Sequence, residues 1–221
     1  MENSLVQKGN RAVATWLLIG VAMVMVQVLL GGITRLTGSG LSITEWDVVT
    51  GALPPMNEQH WLQEFQKYQQ TPQYRLLNTD FGVNDFKFIF FWEWFHRVWA
   101  RLLGFVFIIG FVYLIAKKYL RKDMINPLLV LFLLGALQGA VGWIMVASGL
   151  EDRPAVSHFN LTIHLLLALT LFSMALWTAF GHQYGFIDRE KKAKWSLASG
   201  LSVTALVFLI IQITYGGFTA G

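Results

Sequence analysis

Five long stretches without a single charged residue constrain this chain more than any other feature. They run over Ala12–Thr34, Leu102–Ala116 (extended upstream by Phe88–Trp92), Pro127–Gly149, Phe159–Gly181 and Trp195–Gly221. Each, with that extension, is long enough to cross ~30 Å of hydrocarbon as a helix of ~20 residues. In lipid the helix is the one open-ended structure that satisfies its own backbone. The expected fold is therefore all-α and polytopic. Of 221 residues 55% are hydrophobic and only 14% charged, against about a quarter charged in soluble domains, which excludes a soluble fold. The net charge of +4 comes from clusters between the runs, so it reports topology rather than nucleic-acid binding. The first run follows Lys8 and Arg11, lacks a small-x-small cleavage site and is too long for a signal-peptide core, so it reads as a retained span.

The segments between runs alternate in charge. Lys117, Lys118, Arg121 and Lys122 follow the second run, and Arg189, Lys191, Lys192 and Lys194 follow the fourth. Glu45, Asp47, Glu58, Glu64, Asp80, Asp85, Glu151 and Asp152 lie after the first and third. The positive-inside rule then places the N-terminus in the cytoplasm of a multi-pass protein of a bacterial inner (plasma) membrane. The first outer loop, about residues 35–87, opens with the turn-forming Thr37-Gly38-Ser39-Gly40. After Pro54-Pro55, Asn57 is placed to cap a short helix whose Trp61, Phe65 and Tyr68 recur at i, i+4 and i+7. The simpler reading of that helix is an amphipathic segment on the membrane surface. The other is a lid over something bound in the outer half of the bundle.

The chain also repeats itself. Gln27-x-x-x-Gly31-Gly32-Ile33-Thr34 closes the first run and Gln212-x-x-x-Gly216-Gly217-Phe218-Thr219 the fifth; Gln138-x-x-x-Gly142-Trp143 is a weaker version in the third. One such match is explained by close helix packing, since glycines allow approach and an intramembrane glutamine wants a partner. Two matches in odd-numbered runs read as an internal duplication with a four-helix unit. Residues 1–194 form the first four-helix transmembrane bundle, and 195–221 a fifth helix beginning a second repeat. On this reading the chain looks truncated.

Ionisable residues within membrane spans are functional candidates by default. Around the second run stand Glu93, His96, Arg97 and Arg101, with Glu93, Arg97 and Arg101 on one helical stripe. A Glu93–Arg97 ion pair at an exposed membrane boundary, worth ~0.5 kcal/mol, accounts for the charges but not for His96. His164 sits near the start of the fourth run. The second and fourth spans run in the same direction, so both histidines fall at similar depth in the outer third. Parallel helices can present two such imidazoles across one cavity. Cysteine is absent, which leaves histidine as the strong soft-metal ligand. Zinc wants four ligands, whereas two facing neutral imidazoles fit a six-coordinate heme iron. Either histidine alone is also explained by a helix–helix hydrogen bond. His60, His158 and His182 read as surface residues. Arg35, Arg97 and Arg101 are placed for heme propionates, which arginine binds bidentately.

The residues resemble heme A synthase. The likeness rests on Gly31-Gly32-Ile33-Thr34-Arg35-Leu36-Thr37-Gly38-Ser39-Gly40-Leu41-Ser42, Gly51 with Pro54-Pro55, and Trp61, Phe65 and Tyr68. It continues through Phe86-Lys87, Glu93-Trp94-Phe95-His96-Arg97, Gln138-Gly139, Gly142-Trp143, Ser148-Gly149-Leu150 and His164-Leu165. The chain is similar to the subgroup without a cysteine pair in the first outer loop. The resemblance implies eight helices in two similar halves, each with a histidine pair. It makes His96 and His164 the ligands of the half that takes heme o as substrate, with heme b expected in the second half, whose pair this sequence lacks. It makes Glu93 the catalytic carboxylate and implies oxidation of a heme o ring methyl to a formyl group, giving heme A. Glu93 would stabilise a methyl cation attacked by water, or take the proton. An electron acceptor the sequence does not identify, and heme o synthase or oxidase-assembly proteins, are the implied partners beside the lipid bilayer, with no role for nucleic acid. The competing readings are a b-type cytochrome electron-transfer subunit using the same histidines and a membrane scaffold in which the histidines only tie helices.

Overall fold

The computed structural model describes residues 2–45, 53–120, 122–151, 153–184 and 195–220. Asp47, Gly51, Arg121, Asp152 and the basic cluster from Arg189 to Lys194 lie outside the described residues. All regular structure among the described residues is helical: α1 (Glu2–Leu36), α2 (Glu58–Tyr68), α3 (Pro72–Leu76), α4 (Val83–Ala116), α5 (Lys122–Leu150), α6 (His158–Tyr184) and α7 (Leu197–Ala220). Five of them, α1 and α4 to α7, are long and apolar enough to cross a membrane, and the protein is a multi-pass membrane protein of the all-α class. The charges between Glu93 and Arg101 do not interrupt α4, which runs through them unbroken.

The ends of the helices have identifiable causes. At the end of α1, the Ser39 amide donates to the Thr34 carbonyl (2.9 Å) and that of Gly38 to Arg35 (3.2 Å), the paired bonds of a Schellman stop. The stop needs a left-handed residue, and Gly38 supplies it at φ 64°. The same pattern ends α4, with Tyr119 donating to Leu114 and Lys118 to Ile115, both at 2.9 Å. There the left-handed position is filled by Lys118 at φ 55°. Asn57 caps α2 as its sequence indicates, accepting from the His60 amide at 2.8 Å.

Four helices form a ring. α1 packs along both α4 and α6, α6 also packs along α5, and α5 closes the ring against α4 by its smallest contact. The helices of the two histidines, α4 and α6, therefore stand diagonally. α7 lies outside the ring against α6, and Gly217 is its one buried residue among those described. Tryptophans join α1 to α4 from both sides: Trp16 Nε1 donates to the Val106 carbonyl (3.1 Å) and Trp99 Nε1 to that of Met23 (2.9 Å). Trp16 lies so tightly over Gly110 that a side chain there would collide with its ring.

Two apolar clusters sit at opposite ends of the bundle. Val13, Leu17 and Val21 of α1 meet Leu114 of α4, Met124, Leu128 and Leu131 of α5, and Ala175 and Ala179 of α6 at the end away from the loop. At the loop end, Phe65 and Tyr68 of α2 meet Phe86, Ile89 and Phe90 of α4. At ~1.5 Å per residue the 34 residues of α4 span ~51 Å, well beyond ~30 Å of hydrocarbon. Its first turns offer an aromatic platform, and the apolar face of α2 is spent on it.

Candidate functional site

Between the two clusters runs a belt of polar side chains. His96 projects from α4 toward α1, where Gln27 Nε2 lies 3.1 Å from its Nε2, 3.3 Å from its Nδ1 and 3.3 Å from its carbonyl oxygen. One turn further along α1, the absence of a side chain at Gly31 gives the ring its room: a Cβ there would stand 3.2 Å from His96 Cε1. His164 on α6 meets α5 in the same way. Gln138 Nε2 lies 3.3 Å from its Nε2 and 3.0 Å from its carbonyl oxygen, and a Cβ on Gly142 would stand 2.8 Å from its Cε1. Residues four apart share a helix face, so each Gln-x-x-x-Gly unit is one contiguous seat for an imidazole. Gln27 Oε1, Gln138 Oε1 and His164 Nδ1 are buried without a hydrogen-bond partner.

Below the histidines, on the side away from the loop, a cavity of about 220 Å³ opens between all four ring helices. Gly20 and Val24, Ala100 and Gly104, Gly135 and Ala136, and Leu171 help to line it. It is predominantly apolar, and its small residues make the room.

Glu93 is only 2% exposed, and all its neighbours are donors. Its Oε2 accepts from the Ser42 amide (2.7 Å), the Ser42 hydroxyl (2.7 Å) and the Ile43 amide (2.9 Å), while Oε1 accepts from Arg97 Nη2 (2.5 Å). Arg97 in turn donates to the carbonyls of Ile43 and Glu45, both at 3.2 Å. The ion pair read from the sequence is present, yet it is buried instead of lying at an exposed boundary, and together its partners clamp the segment after α1. Leu41, just ahead of the clamp, packs onto Gly149 at the end of α5, so this segment covers the loop-side end of the bundle.

The other expected residues are dispersed. Arg35 is exposed, and its guanidinium meets the Ala220 carbonyl at the end of α7. Arg101 lies on α4 beyond Arg97, away from the loop. His60 and His158 are exposed, as expected. His182 is not: at 6% exposure it is buried, because the last turns of α6 pack inside the bundle instead of emerging at its rim. Sequence reasoning did not pair Gln27 with His96 or Gln138 with His164, although the repeated Gln-x-x-x-Gly spacing was the signal. It gave no sign of Ser42 and Ile43.

The donor set suits an iron porphyrin. It offers two imidazoles on diagonal helices, apolar space beside them and orphaned polar atoms around them, and among the described residues no cluster of three or more potential ligands exists for a bare metal ion. Fold and site thus define a multi-pass helical membrane protein built around a pair of seated histidines. The chain belongs to the COX15-CtaA family, described as cytochrome oxidase assembly protein, whose model matches residues 14–221. It is 45% identical to the heme A synthase of Flavobacterium psychrophilum over 97% of this chain and 62% of that protein. The figures are 45%, 97% and 63% for heme A synthase of Flavobacterium johnsoniae, and 44%, 96% and 60% for that of Parvibaculum lavamentivorans. The chain thus spans about three-fifths of the length of these relatives. No solved structure matches it.

Proposed function

We propose that this chain carries the heme o site of a heme A synthase, with His96 and His164 as the axial pair. The observation that carries the reading is the twofold use of one device: each imidazole sits on one of two diagonal helices in a glutamine–glycine seat. A porphyrin supplies the redox chemistry; the chain supplies position, orientation and exclusion of water. Conversion of a ring methyl to a formyl group consumes one water and releases four protons and four electrons, so an external electron acceptor is required. Arg35, Arg97 and Arg101 are the proposed propionate partners, with Arg97 next to His96 on α4. The Glu93–Arg97 clamp holds Ser42 and Ile43 over the site, and through it Glu93 acts on the reaction.

The N-terminus lies in the cytoplasm and the α2–α3 loop outside, a reading supported by the basic segment after α4 and the acidic residues of the loop. The ring helices form one unit and α7 begins a second, supported by its place outside the ring and by the recurrence of Gln212 and Gly216. The scaffold reading has one observation in its favour, the hydrogen bonding of each histidine to a glutamine. Absorbance separates the two. Purified from cells that make heme o, the chain is expected to carry low-spin heme that is lost on His96→Ala or His164→Ala, and extraction is expected to yield heme A when the acceptor is supplied. A heme-free protein from heme-replete cells would leave the histidines as helix ties.

A further inference from the structure

We propose that Gln27 and Gln138 are positioning residues, each fixing the ring orientation and donor strength of one axial histidine, with Gly31 and Gly142 as the floors of the two seats. The inference rests on the bis-histidine reading above. Both seats are built from neighbouring antiparallel helices, α1 with α4 and α5 with α6, and share their hydrogen-bond pattern. In each, the amide nitrogen reaches both the histidine carbonyl and a ring nitrogen. In each, the amide oxygen is buried and unpartnered. Leaving such an acceptor unsatisfied is destabilising, and its appearance in both seats points to a common use. A ligating histidine typically donates its second ring N–H to an oxygen, which fixes the tautomer and raises basicity toward the metal. In each seat the amide nitrogen, held by the histidine carbonyl, faces the ring, and a half-turn of the amide brings its unpartnered oxygen to that N–H once the other nitrogen takes the metal. An amide does this without placing a net charge in the membrane.

The third copy of the pattern supplies a control. Gln212 is exposed, and nothing lies within 4 Å of a Cβ built on Gly216, so α7 carries the same residues without a seated ring.

The full chain in detergent, loaded with hemin, is compared by electron paramagnetic resonance, optical spectroscopy and redox titration. Gln27→Leu and Gln138→Leu are expected to weaken hemin affinity ~10–100-fold, to lower the low-spin fraction and to shift the g-values. Gln27→Glu and Gln138→Glu, which keep an acceptor oxygen, are expected to restore the low-spin signal at a lower midpoint potential. Gly142→Ala is expected to disturb the spectrum more than Gly31→Ala, following the closer approach at Gly142, and Gln212→Leu to match the parent. Leucine variants with the parent's g-values, low-spin fraction and potential would overturn the proposal. A parent protein whose hemin is insensitive to both His96→Ala and His164→Ala would overturn the axial pair itself, a distinct result.

Discussion

Replacing Glu93 by glutamine tests the clamp. The carboxylate accepts four hydrogen bonds, three on Oε2 from Ser42 and Ile43 and one on Oε1 from Arg97. Glutamine keeps one oxygen. If that oxygen faces the Ser42–Ile43 backbone, the new NH₂ group meets the Arg97 guanidinium; if it faces Arg97, the NH₂ meets two amide N–H groups. Donor faces donor either way. Removing one partner of a buried ion pair costs ~3–5 kcal/mol. Arg97 keeps its bonds to the carbonyls of Ile43 and Glu45, which places the expected loss near ~3 kcal/mol. At ~1.4 kcal/mol per decade, amide exchange at Ser42 and Ile43 should accelerate roughly 10²-fold, and the thermal midpoint in detergent should fall. Hydrogen exchange read by mass spectrometry over residues 41–45 makes the measurement. Unchanged exchange at these amides would refute the clamp. Loss of turnover with unchanged exchange would instead make Glu93 a catalytic carboxylate acting directly on substrate, the role the family resemblance implies.

Tyr68 is wholly buried against Phe86, so Tyr68→Ala should cost ~3–5 kcal/mol and free α2 for cleavage in limited proteolysis. Lys118 holds a left-handed conformation that glycine adopts without strain, and Lys118→Gly should stabilise the chain by ~1 kcal/mol in thermal unfolding. Lys67 donates to Glu64 and then Glu45, and these bonds hold its ammonium above the usual 10.5. Its contribution to anchoring α2 is complete below that value and lost as pH rises through the raised one. Corrected for the intrinsic base catalysis of exchange, protection of α2 should therefore show no step from this group at neutral pH and fall only in strong alkali.

The five spans were legible because length and lack of charge decide them, and the Asn57 cap and the turn at Gly38 because each is local chemistry. The burial of Glu93 was not legible: its partners Ser42 and Ile43 lie some fifty residues upstream, and nothing in their identity marks them as donors to α4. The seat of each histidine could not be read either. Whether Gln27 meets His96 depends on how far α1 and α4 rotate about their axes, which the tryptophan bonds and Gly110 fix only in the assembled bundle. The packing of the α2 face was not legible either, because its partners Phe86, Ile89 and Phe90 stand on α4 and not beside it in the chain. His182 was misplaced because proximity to a span's end was equated with exposure.

The pairing of Glu93 with Arg97 also sets the field felt one turn away at His96. Opposite charges 2.5 Å apart act at a distance as a dipole, whose potential falls with the square of separation, while a lone charge acts over a much longer range. The clamp therefore holds its two charged partners beside an intramembrane histidine at little electrostatic cost to it. Neutralising either partner turns the dipole into a monopole. Glutamine at 93 leaves a cation, which favours electron-rich states of anything held at His96; a neutral residue at 97 leaves an anion, which favours the electron-poor ones. Two substitutions four residues apart should thus move a reduction potential in opposite directions.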